Sequence, residues 1–107
     1  MSKIYEATST DAIKSLINSL DGITFVSFFS PTCGPCMMLE PILEELAETK
    51  KRINLVRINV MDYPEIINDW NVNAWPTNFV YKDKVEVKKI VGFQPLEEWE
   101  NLLNTIQ

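Results

Sequence analysis

Residues 25–36 read FVSFFSPTCGPC, and this stretch decides the fold because an apolar run passes directly into a cysteine pair. The first five residues are apolar or aromatic apart from one serine, as expected of a strand buried on both faces. Pro35 and the apolar-periodic run after it suit the first turn of a helix, where the missing proline amide costs nothing. The stretch therefore predicts a strand, a tight turn carrying Cys33 and Cys36, and a helix.

Cys33 and Cys36 are the chain's two cysteines, and their spacing suits a reversible local disulfide. Thiol-disulfide exchange needs one thiolate to attack a disulfide sulfur and a second thiol to release the mixed disulfide. A bridge across so short a loop would add only about 2 kcal/mol of stability, so a purely structural role is a weak explanation. We therefore predict a catalytic pair, with Gly34 leaving room for a partner's backbone. A helix N-terminus at Cys33 would lower the pKa of its thiol.

Patterns elsewhere in the chain predict an α/β fold. Helices are expected after Thr10 as a capping residue, from the cysteine pair with a kink at Pro41, over 64–70, and after Pro95. Strands are expected at 25–29, 55–60, 77–81 and 85–91, with a hairpin turn at 82–84 and a strand or coil at the N-terminus. This order predicts a central mixed sheet of about five strands flanked by four helices, with residues 1–107 forming one domain.

Charge and hydropathy exclude several classes of function. The formal net charge is −5 and the isoelectric point is near 4.6, which argues against binding nucleic acid or an anionic membrane. The longest basic cluster, 50–52, falls at a predicted helix end, where cations offset the helix dipole. No apolar stretch approaches a membrane span, and residues 1–20 alternate polar with apolar residues instead of forming a signal peptide. We expect a cytoplasmic monomer.

A zinc site is the first alternative for the cysteine pair, because two cysteines at this spacing form half of many tetrahedral sites. The chain has no histidine and no second cysteine pair, so a zinc site would have to be shared between two chains. We therefore favour redox chemistry, with no metal and no bound cofactor other than the Cys33–Cys36 disulfide.

The whole chain resembles the thioredoxin family when these motifs are taken in order with Trp75-Pro76-Thr77. The residues that carry the resemblance lie at 25–31, 33–36, 41–43, 57–60, 76–77 and 91–92. The resemblance implies a thioredoxin-like fold and a protein disulfide reductase in which Cys33 attacks and the more buried Cys36 resolves. It also implies disulfide-containing protein substrates and an electron donor, thioredoxin reductase or an equivalent.

The resemblance further assigns residues around the cysteines. Gly34 and Pro35 would support the active site, and Pro76 would be cis and lie against the cysteines, beside the backbone that pairs with a substrate. A cis bond is almost confined to proline, which agrees with this assignment. Thr77 and Gly92 are assigned to the substrate-facing side.

Several positions depart from the family pattern. Thr32 stands where a tryptophan is usual, which makes the partner-contacting surface smaller and more polar. Ser27 occupies the position of the family's buried aspartate, and a hydroxyl cannot act as a base at neutral pH. Arg57 stands where a lysine normally accompanies that aspartate. We predict that deprotonation of Cys36 relies on water or on Cys33. The alternative is that Ser27 is a small core residue hydrogen-bonded to the backbone.

Trp75 is larger than the aliphatic residue usual before the proline, and we expect it near the sulfurs, where it would shape substrate selection. Trp70 and Trp99 are expected to pack in the core. Met37 and Met38 would give the rim of the site an apolar character, with one of the two in the core.

Two further alternatives concern activity. The same fold serves in other proteins as a binding module without turnover, and such a module or a redox partner of narrow specificity is the alternative function. Net oxidation is less favoured, because oxidases of this superfamily usually place a histidine between the cysteines, where this chain has Gly34-Pro35.

Overall fold

The computed structural model describes residues 4–50 and 52–106. Residues 1–3 of the N-terminal segment and Lys51 of the basic cluster lie outside this part. Five strands and four helices follow one another along it in the order β1 (Ile4–Glu6), α1 (Thr10–Ser19), β2 (Ile23–Phe29), α2 (Gly34–Thr49), β3 (Ile53–Asn59), α3 (Pro64–Trp70), β4 (Thr77–Lys82), β5 (Val85–Val91) and α4 (Leu96–Ile106). The predicted α/β fold with a mixed sheet and four helices is confirmed.

The strands form one sheet in the order β1-β3-β2-β4-β5. β1 and β2 both pair with β3 in parallel, whereas β4 pairs antiparallel with β2 and with β5. Phe25 pairs with Leu55 and Val80, which places β2 at the centre of the sheet. The apolar run predicted to be buried on both faces is therefore the central strand, and six of its seven residues are buried.

Each face of the sheet is covered by two helices. Leu39 and Leu43 of α2 and Trp99 of α4 pack against Phe25 on one face, which we call the α2 face. Helices α1 and α3 cover the other face, which we call the α1 face, where they pack against side chains such as Phe28. The alternation of side chains along β2 directs neighbouring residues to opposite faces, so both faces are filled from one strand.

Helix α2 begins directly after Cys33, which is its N-cap residue. Pro35 lies in the first turn, as predicted from its missing amide. Pro41 lies inside the helix, where it has no N–H to donate to the preceding turn.

The prediction that Thr10 caps α1 was wrong. The N-cap is Ser9, whose side-chain oxygen accepts a hydrogen bond from the Ala12 N–H at 3.0 Å. Thr10 is the first helical residue, and its hydroxyl donates to Asp69 at 2.5 Å. Adjacent Ser and Thr residues have similar capping propensity, so the sequence pattern does not separate them.

The predicted hairpin is present, with Asp83 and Lys84 as its two-residue turn. Both have positive φ, 48° and 74°, the conformation that a two-residue hairpin requires. The register shifts between Val80 and Tyr81, so that Val80 pairs with Lys88 and Tyr81 with Glu86. This bulge explains why the sequence of β5 departs from strict alternation.

Candidate active site

The antiparallel pairing of β2 and β4 brings distant parts of the sequence to one edge of the sheet. The end of β2 lies beside the start of β4, because Phe28 pairs with Thr77. Thr77 also pairs with Val91 at the end of β5, and the Gly92 N–H donates to the Pro76 carbonyl at 2.8 Å. The cysteine turn, the residues before β4 and Gly92 therefore meet at this edge, although up to 60 residues separate them in sequence.

Cys33 and Cys36 form a disulfide, with their Cα atoms 5.2 Å apart. Cys33 is partly exposed, whereas Cys36 is only 2% exposed. The Cys33 sulfur accepts a hydrogen bond from the Cys36 N–H at 3.2 Å, and the Cys33 carbonyl accepts from the Met37 N–H at 3.1 Å. The outer sulfur thus accepts from one amide in the first turn of α2, where a negative charge would be stabilised.

The turn before the cysteines is held by Ser30, which is 2% exposed. Its carbonyl accepts from the Cys33 N–H at 3.2 Å, and its hydroxyl oxygen accepts from the Thr32 N–H at 3.3 Å. Thr32 is exposed beside Cys33. A β-carbon added at Gly34 would meet nothing within 4 Å, so the space above the turn is open to a partner.

The loop before β4 faces the outer sulfur. The Trp75 carbonyl oxygen lies 3.6 Å from the Cys33 sulfur, and the Trp75–Pro76 peptide bond is cis. Pro76 is buried, while the Trp75 residue is 37% exposed. The Thr77 hydroxyl donates to the Ala74 carbonyl at 2.6 Å and is buried, so Thr77 holds the loop and does not present its side chain at the surface.

A polar row runs across the α2 face below the cysteines. It consists of Glu6, Arg57, Ser27 and Asn78, which occupy paired positions on β1, β3, β2 and β4. Arg57 forms ion pairs with Glu6, at 3.0 Å, and with Glu40 of α2. The Ser27 residue is 5% exposed, and Asn78 is fully buried. The predicted residues Ser27 and Arg57 therefore lie side by side beneath the cysteine pair.

Glu40 is the site residue that the sequence analysis missed. It lines a small cavity together with Cys36, Ser27, Arg57 and Pro76. Its spacing of four residues from Cys36 on a predicted helix would have been the signal, because such residues share one face of a helix.

The rim of the site is apolar. Met37 is 40% exposed and Met38 is 63% exposed, so the prediction that one of them belongs to the core was wrong. The buried position in this turn belongs to Leu39, which is 1% exposed. Trp99 is fully buried and Trp70 packs against the rings of Phe28 and Phe79, as predicted.

Across residues 4–50 and 52–106, no group of three or more Cys, Asp or Glu side chains is arranged to hold a metal ion. None of the helices in this part of the chain is long and apolar enough to cross a membrane.

Comparisons with known proteins agree on one family. The profile of the family described as Thioredoxin matches residues 4–105. A thioredoxin from Staphylococcus saprophyticus is 36% identical over 106 residues, covering 98% of this chain and 93% of that protein. A thioredoxin from Chlamydia pneumoniae is 36% identical over 96 residues, covering 90% and 92%.

Solved structures show the same similarity. The oxidised form of mitochondrial thioredoxin 3 from Saccharomyces cerevisiae superposes with a TM-score of 0.81 at 28% identity, covering 94% of each chain. A thioredoxin variant from Halobacterium salinarum gives a TM-score of 0.84 at 24% identity, covering 95% of this chain and 88% of that one.

Proposed function

This chain belongs to the thioredoxin family and is a protein thiol-disulfide oxidoreductase, and from that premise we propose that Cys33 is the attacking cysteine and Cys36 the resolving one. The observation that carries this assignment is the difference in burial between the two residues. Cys33 is partly exposed beside an open turn, whereas Cys36 is only 2% exposed and reachable mainly from Cys33. A substrate disulfide can therefore approach the first sulfur and not the second.

The reaction transfers two electrons from the cysteine pair to a substrate disulfide. The Cys33 thiolate attacks one substrate sulfur, which forms a mixed disulfide and releases the other substrate sulfur as a thiolate. The Cys36 thiolate then attacks the Cys33 sulfur, which closes the Cys33–Cys36 disulfide and frees the second substrate thiolate. Both substrate thiolates take up protons, and the oxidised pair must be reduced again by a donor.

The helix N-terminus favours the attacking thiolate. The Cys36 N–H already donates to the Cys33 sulfur at 3.2 Å, and a charged sulfur would strengthen this hydrogen bond. Gly34 and Pro35 support the site, because Pro35 begins the helix and Gly34 leaves the approach open.

Residues around Cys33 would bind the substrate chain. We assign contact roles to Thr32 and Trp75, which are both exposed, and to the backbone at Trp75, Pro76 and Gly92. Thr32 precedes Cys33 in sequence, and the Trp75 carbonyl faces the Cys33 sulfur. Thr77 would act through the shape of the loop, since its side chain is buried. Ser27 and Arg57 would support the site from below.

We also propose the substrates, the electron donor and the location of the protein. The substrates would be proteins with accessible disulfides, and the donor would be a thioredoxin reductase or an equivalent. We propose net reduction by a single-domain, cytoplasmic monomer that needs no cofactor beyond its own disulfide. The Gly34-Pro35 pair and the absence of histidine from the sequence support the reducing direction.

The test is reduction of insulin disulfides by dithiothreitol, comparing the wild type with Cys33→Ser and Cys36→Ser. We expect Cys33→Ser to fall to the rate of dithiothreitol alone, and Cys36→Ser to accumulate a mixed disulfide visible by mass spectrometry. A redox titration should give a potential near about −270 mV, the value of thioredoxin.

Two results would contradict the proposal. Turnover that survives in Cys33→Ser would remove the assigned nucleophile. A wild type without turnover would favour a binding module or a dedicated redox partner, consistent with the smaller Thr32 surface.

A further inference from the structure

A small cavity lies between α2 and the sheet, directly under the resolving sulfur. Its volume is about 10 Å³, which is room for roughly one water molecule. The side chains around it are mostly apolar, with three polar exceptions: Ser27, Glu40 and Arg57. Of these, Glu40 carries the carboxylate.

Glu40 and Cys36 lie on the same face of α2. Residues four apart on a helix have β-carbons about 5–6 Å apart, so the carboxylate lies one turn from the resolving sulfur. Both residues line the cavity, and both are partly or fully buried. The shared cavity would let a proton pass between them, with room for about one water between the two groups.

Arg57 holds this carboxylate in place. Its guanidinium is fixed from three sides, by Glu40, by Glu6 at 3.0 Å and by the Phe29 ring, whose centroid lies 4.5 Å away. Because Arg57 has two carboxylate partners, protonation of Glu40 would leave it paired with Glu6. Proton uptake at Glu40 therefore does not leave the partly buried guanidinium uncompensated.

The resolving step needs such a proton acceptor. A thiol must lose its proton before it attacks a disulfide, and burial disfavours the charged thiolate. Cys36 is 2% exposed, and its neighbour on β2 is Ser27, whose hydroxyl is not a base at neutral pH. The nearest suitable base in this cavity comes from α2 and not from the sheet.

We propose that Glu40 accepts the proton of Cys36 during the resolving step and returns it when the disulfide is reduced again; this rests on the proposed roles of the two cysteines. In the forward step the Cys36 S–H bond breaks and Glu40 takes the proton. The Cys36 thiolate bonds to the Cys33 sulfur, the bond from Cys33 to the substrate sulfur breaks, and the substrate leaves as a thiolate. In the reverse step Glu40 protonates the departing Cys36 thiolate.

The pH dependence of the resolving step is set by the charged and polar groups around Glu40. Arg57 faces Glu40 from β3, and Glu6 of β1 stands behind Arg57. The polar row contributes two uncharged residues from β2 and β4, Ser27 and Asn78. Glu44 follows one turn later on α2 and does not line the cavity.

The experiment mixes the reduced protein with 5,5′-dithiobis(2-nitrobenzoate) and follows thiolate release by stopped flow. The first released thiolate reports attack by Cys33, and the second reports resolution by Cys36. We expect Glu40→Gln to keep the first phase and to slow the second by at least about tenfold near pH 7, since general base catalysis is typically worth 10²–10⁴-fold. As the pH rises above the ordinary thiol pKa of about 8.5, the rates of the two proteins should converge, because a growing fraction of Cys36 then ionises without a base.

Three variants separate proton transfer from structural effects. Glu40→Asp keeps a carboxylate and should recover part of the second-phase rate. Glu44→Gln removes a carboxylate from the same helix outside the cavity and should leave both phases unchanged. Glu6→Gln removes the carboxylate that compensates Arg57 when Glu40 is protonated, and should slow the second phase less than Glu40→Gln does.

The two phases distinguish failure of the role inferred for Glu40 from failure of the roles proposed for the cysteines. Loss of the first phase in the wild type would contradict the assignment of Cys33 itself. A normal first phase with a second phase unaffected by Glu40→Gln would overturn the role of Glu40 alone. Equal slowing by Glu40→Gln and Glu6→Gln, at all pH values, would also overturn it, because the effect would then come from the charge around Arg57.

Discussion

The two faces of the sheet bury polar side chains for different purposes. On the α1 face, the Asn54 amide donates to the Asp21 carbonyl at 2.9 Å, and the Thr77 hydroxyl donates to the Ala74 carbonyl at 2.6 Å. These groups hold turns. On the α2 face, Arg57 interacts with other side chains, namely Glu6 and Glu40, below the cysteine pair.

The polar side chains of the α1 face serve the stability of the fold, whereas those of the α2 face serve the chemistry of the cysteine pair. A buried polar group that bonds to the backbone satisfies a carbonyl that would otherwise be unpaired. Ion pairs such as the partly buried Arg57–Glu40 and the more exposed Arg57–Glu6 stabilise a fold little, because desolvation and solvent screening offset the attraction between the charges. The charges on the α2 face are therefore better explained by the sulfur chemistry above them than by the stability of the fold.

The largest predicted effect tests whether the α1 face acts only on stability. Phe28 is fully buried there, and its ring lies 5.8 Å from that of Trp70 and 5.9 Å from that of Phe79. Truncation to alanine should lower the free energy of unfolding by about 3–5 kcal/mol, measured with urea. The two phases of thiolate release should be unchanged in the folded protein.

Phe25→Ala on the α2 face is the matched control, because Phe25 is also fully buried and packs against Trp99, with 5.2 Å between the two ring centroids. We expect a similar loss of stability. Slowing of the second phase by Phe28→Ala would contradict the separation between the two faces.

Most of the fold could be predicted because local patterns and tertiary structure agree. The run at 25–29 is apolar on both faces because it forms the central strand, and 85–91 was predicted with its observed bounds. The register of β5 could not be predicted. It depends on the bulge opposite Val80 and Tyr81, and a bulge is a tertiary feature that local propensity does not encode.

The site was only partly predictable. The spacing of Cys33 and Cys36 was enough to predict a disulfide-forming pair, and the cis bond before Pro76 was predicted from the family resemblance. Glu40 was missed because a lone glutamate on an amphipathic helix usually faces solvent. Its contact with Arg57 depends on how α2 lies across β3, which requires the structure.

A smaller effect on stability is expected from substitution of Asn78, the last residue of the polar row. The side-chain amide of Asn78 is fully buried and has no hydrogen-bond partner among the described residues. Such a group costs about 1–3 kcal/mol, so Asn78→Leu, which keeps the branched shape of the side chain, should raise the free energy of unfolding by about 1 kcal/mol. Urea unfolding of the oxidised protein measures this gain.

Asn54→Leu is the control for this substitution on the α1 face. It removes an amide that donates to the Asp21 and Ile23 carbonyls, so it should lower stability. If Asn78→Leu were destabilising as well, the Asn78 amide would have a partner such as a bound water, and the two faces would bury their amides in the same way.

The smallest predicted effect concerns Tyr81, which is partly buried on the α1 face and packs near Trp70, with 6.5 Å between the ring centroids. Burial, and secondarily the charge of Glu86, raises the pKa of the Tyr81 phenol above its ordinary value. The folded state therefore favours the neutral phenol. This contribution to stability is complete below about pH 10, the ordinary tyrosine value, and is lost as the pH rises toward the folded-state pKa.

Between pH 9 and about pH 11, Tyr81→Phe should lose less stability than the wild type in urea unfolding. Glu86→Gln should lie closer to the wild type than Tyr81→Phe does, because burial is the larger cause. Equal losses in wild type and Tyr81→Phe would mean that the phenol is solvated, and that the α1 face is less apolar at this edge than its packing indicates.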